Sequence, residues 1–591
     1  MRYNANAGKR PLPPNRLGKV TATLSLPFFE DFTGYGIFPD STRWVDYHTY
    51  VNNTMCVMPV SRGVATLDAL DWRGIPYDSF SNSVFRYADS LTTQPIDVAT
   101  VTPADSLYLS FVYQPQGNGF YPLPQDSLMV FIKTKYGGFV KVWATPGTTL
   151  QPFRHVMIPI TDTIFFSSSL QVRFVNIAAL NWSDAVWNVD YVRLNTGRTM
   201  GDTVLNDVAI SSDPTFLLND YTSMPYRHFI DNPAGERAAN ITDSIRNNYN
   251  STQSVNSFFS AVGINTGVTL QSPVGAAASI PGGSTRAVSF PSYSATIPFS
   301  SVGYHDKVVF EHKVYFESVA AGEPHANDTI VKPQVFDNYL AYDDGSAEKS
   351  YYLNLFPTLP GKIAIEYHLN RPDTMRGMAI YFGRQVPFAV NKVFDINIYS
   401  ALAGVNGAPA DTLKYEQEMC YPGYTDTVNH FWIYKFDQPV PLPAGTFYAG
   451  TMQPAESGSD SLYFGLDVNR IGGNHAYYNV LAAWSPSLIT GAIMMRPLLG
   501  QPITGTGVQS VTAQNEEWQV FPNPATNNLQ FDYKGDWDAA YRVSDMQGRV
   551  VLHGIVTRGR SIDISLLTPG MYVVQLVSDE KVTIPKKIIK L

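Results

Sequence analysis

Along much of the chain, apolar side chains recur at every second position. Leu107, Leu109, Phe111 and Tyr113 share one face of a segment, with Tyr108 and Ser110 on the other. Leu128, Val130 and Ile132 repeat the spacing, and Leu170, Val172 and Phe174 alternate with Gln171 and Arg173. A period of two carried by β-branched and aromatic residues predicts half-buried strands. Turn-forming clusters break the pattern about every ten residues, which is the spacing of a β-sandwich. This first sandwich is expected over residues 25–198.

Residues 199–335 are more polar. Their clearest strand is Val308–Phe316, where Val308, Phe310, Val314 and Phe316 face one way and Glu311, Lys313 and Tyr315 the other. His312 falls on the apolar face, which predicts a satisfied core or edge histidine rather than a ligand. A further strand-rich unit covers 336–500, with strands expected at 363–367, 378–382, 394–399, 447–452 and 492–495. Residues 501–516 begin rich in Gly, Thr, Ser and Gln, have no hydrophobic period, and read as a flexible linker.

The remainder, 517–591, has a compact pattern of its own. Phe521-Pro522-Asn523-Pro524 makes a rigid lead-in, since each proline fixes φ and removes a donor. Asn527, Leu529 and Phe531 begin a strand. Residues 541–551 read as strand, tight turn, strand: Asp545 precedes the turn, Gln547-Gly548 supplies the positive φ, and Arg549 follows. Ile562, Ile564 and Leu566 alternate with Ser561, Asp563 and Ser565. Pro569-Gly570 makes the next turn, Met571 and Tyr572 open another strand, and the chain finishes Lys586-Lys587-Ile588-Ile589-Lys590-Leu591.

Composition narrows the class. A chain of 591 residues is too long for one core and implies roughly three to five domains. Charged residues are 16%, against about 25% in an ordinary globular protein, while Tyr, Phe and Trp number 35, 33 and 9. That balance suits short strands and many turns, and disfavours helical bundles. The formal charge of −8, with no basic stripe, excludes nucleic acid as the expected partner. Cys56 and Cys420 can build neither a disulfide framework nor a thiolate zinc site and read as free buried thiols. No apolar run reaches the ~18 residues of a membrane-spanning helix. The N-terminal segment 1–24 opens basic and proline-rich, without the apolar core of a signal peptide, so an export signal is expected to lie upstream or to have been removed.

Several of these patterns resemble known families. The C-terminal lead-in, the Asp545–Arg549 turn, the Gly570-Met571-Tyr572 strand start and the Lys586-Lys587 ending occur in order, and together closely resemble the type A C-terminal sorting domain of type IX secretion cargo in the Bacteroidetes. That resemblance implies a small antiparallel sandwich, recognised by the type IX outer-membrane machinery and usually removed by a sortase-like peptidase. It also implies a secreted or surface-attached protein. Phe28-Phe29-Glu30-Asp31-Phe32 with 187–192 resembles jelly-roll domains of the MAM and adhesin type, which implies pairing of first and last strands and a calcium ion near Glu30, Asp31 and Asp190. Residues 202–332 resemble an immunoglobulin-like spacer. The run 342–348 resembles the opening of jelly rolls in exported Bacteroidetes proteins. The recurring Asp-Ser/Thr-apolar tripeptide, as at 105–107, 126–128, 162–164 and 202–204, resembles a Bacteroidetes O-glycosylation acceptor, and equally suits the start of a turn before a strand.

Catalytic signatures are sparse. The sequence contains no His-Glu-x-x-His, no G-x-S-x-G and no P-loop. Asp343, Asp344 and Glu348 surround a glycine turn and could supply oxygens to calcium, as could Glu30 and Asp190; solvated acidic turns are the commoner outcome. Tyr477, Tyr478 and Trp484, beside Asn474 and His475, could stack on sugar rings, although core packing is the commoner role for such residues. The expected protein is all-β: jelly roll, Ig-like spacer, second jelly roll, linker, and a small Ig-like sorting sandwich. The expected function is non-catalytic adhesion or binding outside the cell, with glycans or surface proteins as partners. Carbohydrate binding linked to polysaccharide degradation is the alternative, and a hydrolase with a dispersed site is less favoured.

Overall fold

The computed structural model describes residues 23–34, 36–78, 85–183, 185–264, 267–297, 307–317, 324–384, 392–425, 431–455, 461–501, 518–533, 539–545, 550–556, 561–577 and 586–591. Nearly all of the N-terminal segment, nearly all of the linker, and Gly548 and Arg549 lie outside these residues. The chain forms two compact units, 1–502 and 503–591.

The long unit is built from antiparallel sheets. In its first sandwich, Tyr50–Asn52, Val64–Leu67, Trp187–Asn195, Tyr108–Pro115 and Arg154–Pro159 lie side by side, and Phe28–Glu30 adds to Trp187–Asn195. The first strand pairs with the last, Phe28 opposite Leu194 and Glu30 opposite Val192. The facing sheet runs Phe85–Thr92, Val172–Ala179, Ser127–Lys133, Phe139–Pro146. The alternating apolar positions fill the space between. Leu109, Phe111, Leu128, Val130, Leu170 and Phe174 are all buried, with Trp44 and Trp187. Each large side chain withdrawn from water in this way contributes about 1.5–3 kcal/mol.

One expectation is modified here. Alternation predicts a wet outer face for Tyr108–Pro115, yet Ser110, Val112 and Gln114 are also buried. Chain on either side covers them. Arg198 Nη1 donates to Ser110 Oγ at 2.7 Å, Val112 packs with Val60 and Tyr191, and Gln114 Oε1 accepts from Val57 N at 2.8 Å.

The next strands form a sheet of Val208–Ile210, Asn240–Asn247 and Thr285–Pro291 against one of Thr269–Ile280, Gln253–Gly263, Val308–Phe316 and Thr329–Phe336. Burial alternates along Val308–Phe316 as its sequence requires. His312 is a neutral core residue. Its Nε2 lies 2.6 Å from Tyr293 Oη, and burial pushes its pKa down to about 3.

The following sandwich has a broad sheet of Thr412–Cys420, Phe394–Ala401, Gly445–Gln453, Gly361–Leu369, Ala476–Asn479 and Ser485–Pro486. Two shorter sheets complete it: Trp432–Leu442, Asp373–Ile380, Met495–Leu499, and Lys349–Tyr351, Phe464–Asp467, Ala492–Ile493. One apolar cluster runs unbroken from Val208 to Leu499 through this sandwich and the sheets before it. The segment 217–229 joins them: Tyr221 stacks on Tyr342 at 4.8 Å, and the helix Tyr226–Asp231 brings Arg227 and His228 to Asp373 at 2.6 and 2.8 Å.

In the C-terminal unit, Trp518–Phe521, Asn528–Tyr533 and Ser561–Asp563 form one sheet, and Val550–Val556, Ala539–Asp545, Gly570–Val577 and Lys586–Lys590 the other. Leu529, Phe531, Val543, Ile562, Val574 and Ile588 make its separate core. The whole molecule is therefore all-β sandwich architecture, as the hydrophobic period predicts.

Candidate functional site

In the C-terminal unit the separated motifs meet. Asn523 Nδ2 donates to Lys587 O at 2.8 Å, and Ile589 N donates to Asn523 Oδ1 at 2.9 Å. Ala525 N donates to Ile589 O and Leu591 N donates to Ala525 O, at 2.8 and 2.9 Å. The Pro522-Asn523-Pro524 lead-in thus holds the terminal strand by a short ladder. The prolines cannot donate, so the intervening Asn523 amide supplies both a donor and an acceptor. Tyr572 Oη donates to Thr568 O at 2.8 Å and fixes the turn before Gly570. Asp545 ends the strand Ala539–Asp545, which pairs with Val550–Val556.

The acidic residues are less available than the sequence suggests. Asp343 is fully buried against Arg496, whose Nε lies 3.0 Å from Oδ2 and whose Nη2 contacts Oδ1; Gly345 N also donates to Oδ1 at 3.0 Å. Asp344 Oδ1 accepts from Ser346 N and Oγ at 2.9 and 2.6 Å. Glu348 Oε1 lies 2.9 Å from Ser346 Oγ, and Oε2 accepts from Val468 N at 3.1 Å. The fold adds Asp467, which the sequence did not single out. Its Oδ2 accepts from Asp344 N at 2.6 Å, and burial, then Asp344 and Glu348, push its carboxyl well above the usual range. At the other cluster, Glu30 accepts from Phe32 N and Trp44 Nε1 at 3.0 and 3.2 Å, and Asp190 from Ser61 Oγ and Tyr191 N at 3.0 and 2.6 Å. Burial, then the neighbouring Asp31, raises the Asp190 carboxyl.

Protein donors already face much of this carboxylate set. The oxygens of Asp343, Glu348, Glu30 and Asp190 already face protein donors, and among the described residues no three His, Cys, Asp or Glu side chains group as metal ligands.

Glu348 makes the consequence measurable. Burial, then Asp344, pushes its carboxyl from 4.5 to about 8. Between those values the folded state holds a proton that the unfolded state releases, so stability falls as pH rises through that window. Glutamine cannot ionise; its Oε1 can accept from Val468 N while its Nε2 donates to Ser346 Oγ. Glu348→Gln is therefore expected to match wild type near pH 4.5 and to be more stable by on the order of 2 kcal/mol above pH 8. Thermal melts across pH check this, and equal melting temperatures at high pH would contradict it. Millimolar calcium should leave the wild-type melt unmoved.

The residues 474–478 and Trp484 do not form one patch. His475 stacks on Tyr342 at 4.4 Å, and Tyr478 packs against the main core. Tyr477 and Trp484 lie with Tyr399 and Tyr448 in a separate small cluster, where Trp484 Nε1 donates to Asp411 Oδ1 at 2.8 Å. Asn474 is exposed.

A more open aromatic face lies on the first sandwich. On the sheet containing Ser127–Lys133, the positions alternating with Leu128, Val130 and Ile132 lie on the other face, where Met129 is buried and Phe131 and Lys133 are half-buried. Phe131 stands there opposite Arg173, and Lys133 opposite Phe139. Tyr87, 63% exposed, meets Phe131 edge-on at 6.3 Å, and the Arg173 guanidinium lies 3.8 Å over the Phe139 ring. Its signal was present in the sequence as aromatics on the polar side of an alternating strand.

Three of the Asp-Ser/Thr tripeptides close turns that begin three residues before the Asp. Asp105, Asp126 and Asp202 each accept from the backbone N of the residue three earlier, at 2.8, 2.7 and 3.1 Å. Cys56 and Cys420 are buried and unbridged, and burial raises the Cys420 thiol to about 11. Where the first three sandwiches meet there is a cavity of about 350 Å³, lined by residues of each.

Residues 519–590 match the family described as the secretion system C-terminal sorting domain. The C-terminal unit is therefore the sorting domain of a type IX secretion cargo, handled by that machinery, and the protein is secreted across the outer membrane or attached at the surface. No curated protein matches the chain. Among solved structures, the chain is similar to the CBM22-1 xylan-binding domain of Paenibacillus barcinonensis Xyn10C, at 10% identity and TM-score 0.19, covering 30% of this chain and 99% of that one. It is also similar to a beta-glucuronidase of glycoside hydrolase family 2, at 10% identity and TM-score 0.23, covering 57% of this chain and 34% of that one. A putative beta-galactosidase from Bacteroides fragilis is similar at 10% identity and TM-score 0.19, with 50% of this chain and 36% of that one covered. Likenesses this slight carry no argument about ligand or activity.

Proposed function

For a chain that ends in a type IX sorting domain, we propose that the exported body is a non-catalytic binding protein, acting by adhesion outside the cell. The observation that carries this reading is the outward aromatic face of Tyr87, Phe131 and Phe139 on the first sandwich. An aromatic ring left 63% exposed on a strand, just before a shift in its pairing register, gains little from the core; it is suited to cover an external partner. Flat rings beside a cationic Arg173 also suit stacking on sugars, which favours glycans as the second reading.

Affinity electrophoresis in soluble polysaccharides, beside binding to immobilised cell-surface proteins, tests both. Tyr87→Ala with Phe131→Ala is expected to weaken the interaction about tenfold or more, the loss of roughly 1.4 kcal/mol or above. Retardation by polysaccharide alone would favour the glycan reading, and protein capture alone the adhesion reading. Unchanged binding by the double variant would overturn the assignment to this face.

A further inference from the structure

We propose that the cavity where the three sandwiches of the long unit meet is a second binding site, specific for a neutral sugar ring. It stands on residues separate from the aromatic face and does not rest on that reading.

Place and size come first. Tyr50, Asn53 and Arg62 of the first sandwich, Asp213, Phe216 and Lys332 of the next sheets, and Asp343 and Arg496 of the last sandwich all line it. Ligand sites favour such junctions, and about 350 Å³ is within the usual range, near its small end. That volume suits one ring or two, not the side of a long chain.

Charge then selects the ligand. Four cations, Arg62, Lys307, Lys332 and Arg496, are matched by four anions, Asp213, Asp337, Asp343 and Asp344. The pairing is local: Arg62 lies 3.6 Å from Asp213, Lys307 2.9 Å from Asp337, and Arg496 3.0 Å from Asp343. Lys332 donates to Pro214 O at 3.0 Å and lies 3.8 Å over the Phe216 ring, with Asp213 and Asp344 as opposing charges and Arg470, 5.0 Å over the same ring, as a like one. A carboxylate, phosphate or ammonium ligand would have to break one of these pairs, leaving a partly buried charge uncompensated. A neutral polyol would not. The Arg62–Asp213 and Lys307–Asp337 pairs, in which the Asp213 and Lys307 side chains are partly exposed, each offer a donor next to an acceptor, the arrangement that vicinal hydroxyls satisfy two at a time. Asn53, Thr54, Thr222 and Ser346 add neutral polar groups, and Tyr50, Phe216 and Tyr339 add ring surface.

The test is calorimetric titration of the full chain with methyl β-D-glucopyranoside, methyl β-D-galactopyranoside and methyl α-D-mannopyranoside, with methyl β-D-glucuronide and methyl glucosaminide as charged comparators. At least one neutral glycoside is expected to bind saturably, at least tenfold more tightly than either charged sugar. Asn53→Trp, which fills the cavity from a half-buried loop position, should weaken that binding tenfold or more. Phe216→Ala, a second route should the first variant not fold, should do the same. Tyr87→Ala with Phe131→Ala should leave it unchanged, so failure of the sheet-face reading and failure of this one are separable. Saturation by none of the three neutral glycosides, tighter binding of a charged sugar, or wild-type affinity in a folded cavity variant would overturn the proposal.

Discussion

Replacing Arg496 by methionine is expected to destabilise the long unit by about 3–5 kcal/mol, the cost of breaking a buried ion pair from one side. Asp343 and Arg496 are both buried, at 0% and 8% exposure. The guanidinium also lies 4.0 Å over Phe431 and 4.9 Å over Tyr339, so methionine loses ring contacts as well as charge. The pair ties the turn after Tyr342 to the strand Met495–Leu499, closing the last sandwich between its beginning and its end. Asp343→Leu together with Arg496→Met should recover most of the loss, because no lone charge is then buried. Urea denaturation reads both variants. A single-variant change below about 1 kcal/mol, the range of an exposed pair, would contradict the account.

Deleting residues 517–591 is expected to abolish delivery to the surface or medium and leave a folded body in the periplasm. The C-terminal unit has its own core, and none of its core residues belongs to the clusters of the long unit. Each unit thus has a core of its own, and loss of delivery is separated from misfolding by measurement. Proteolytic resistance of the periplasmic body, compared with the full chain, checks that separation. Surface delivery of the truncated form at the normal level would contradict the sorting assignment.

Much of the fold was legible because it depends on local pattern. The alternation at 107–113, 128–132 and 170–174 fixes which side chains fill the first sandwich, and all those positions are buried. The sorting motifs were legible for the same reason, being short and ordered. The contact between them was not: Asn523 and Lys587 are 64 residues apart, and nothing in either motif states that one amide holds the other strand. The surroundings of the acidic clusters were less legible. Pairing of the first and last strands does bring Glu30 near Asp190, as the resemblance implies. Composition, however, cannot say that Trp44, Ser61 and two backbone N–H groups already occupy their oxygens. Arg496 was unremarkable in sequence because its partner lies 153 residues away. The junction cavity was invisible, since it exists only once three separate sandwiches are packed together.

The most direct test of the central claim, export through the C-terminal unit, is fractionation of a type IX-competent host with intact-mass analysis of the mature protein. The account predicts a product on the surface or in the medium that ends before the sorting domain of residues 519–590. A product retained inside the cell with Leu591 still at its end would contradict it.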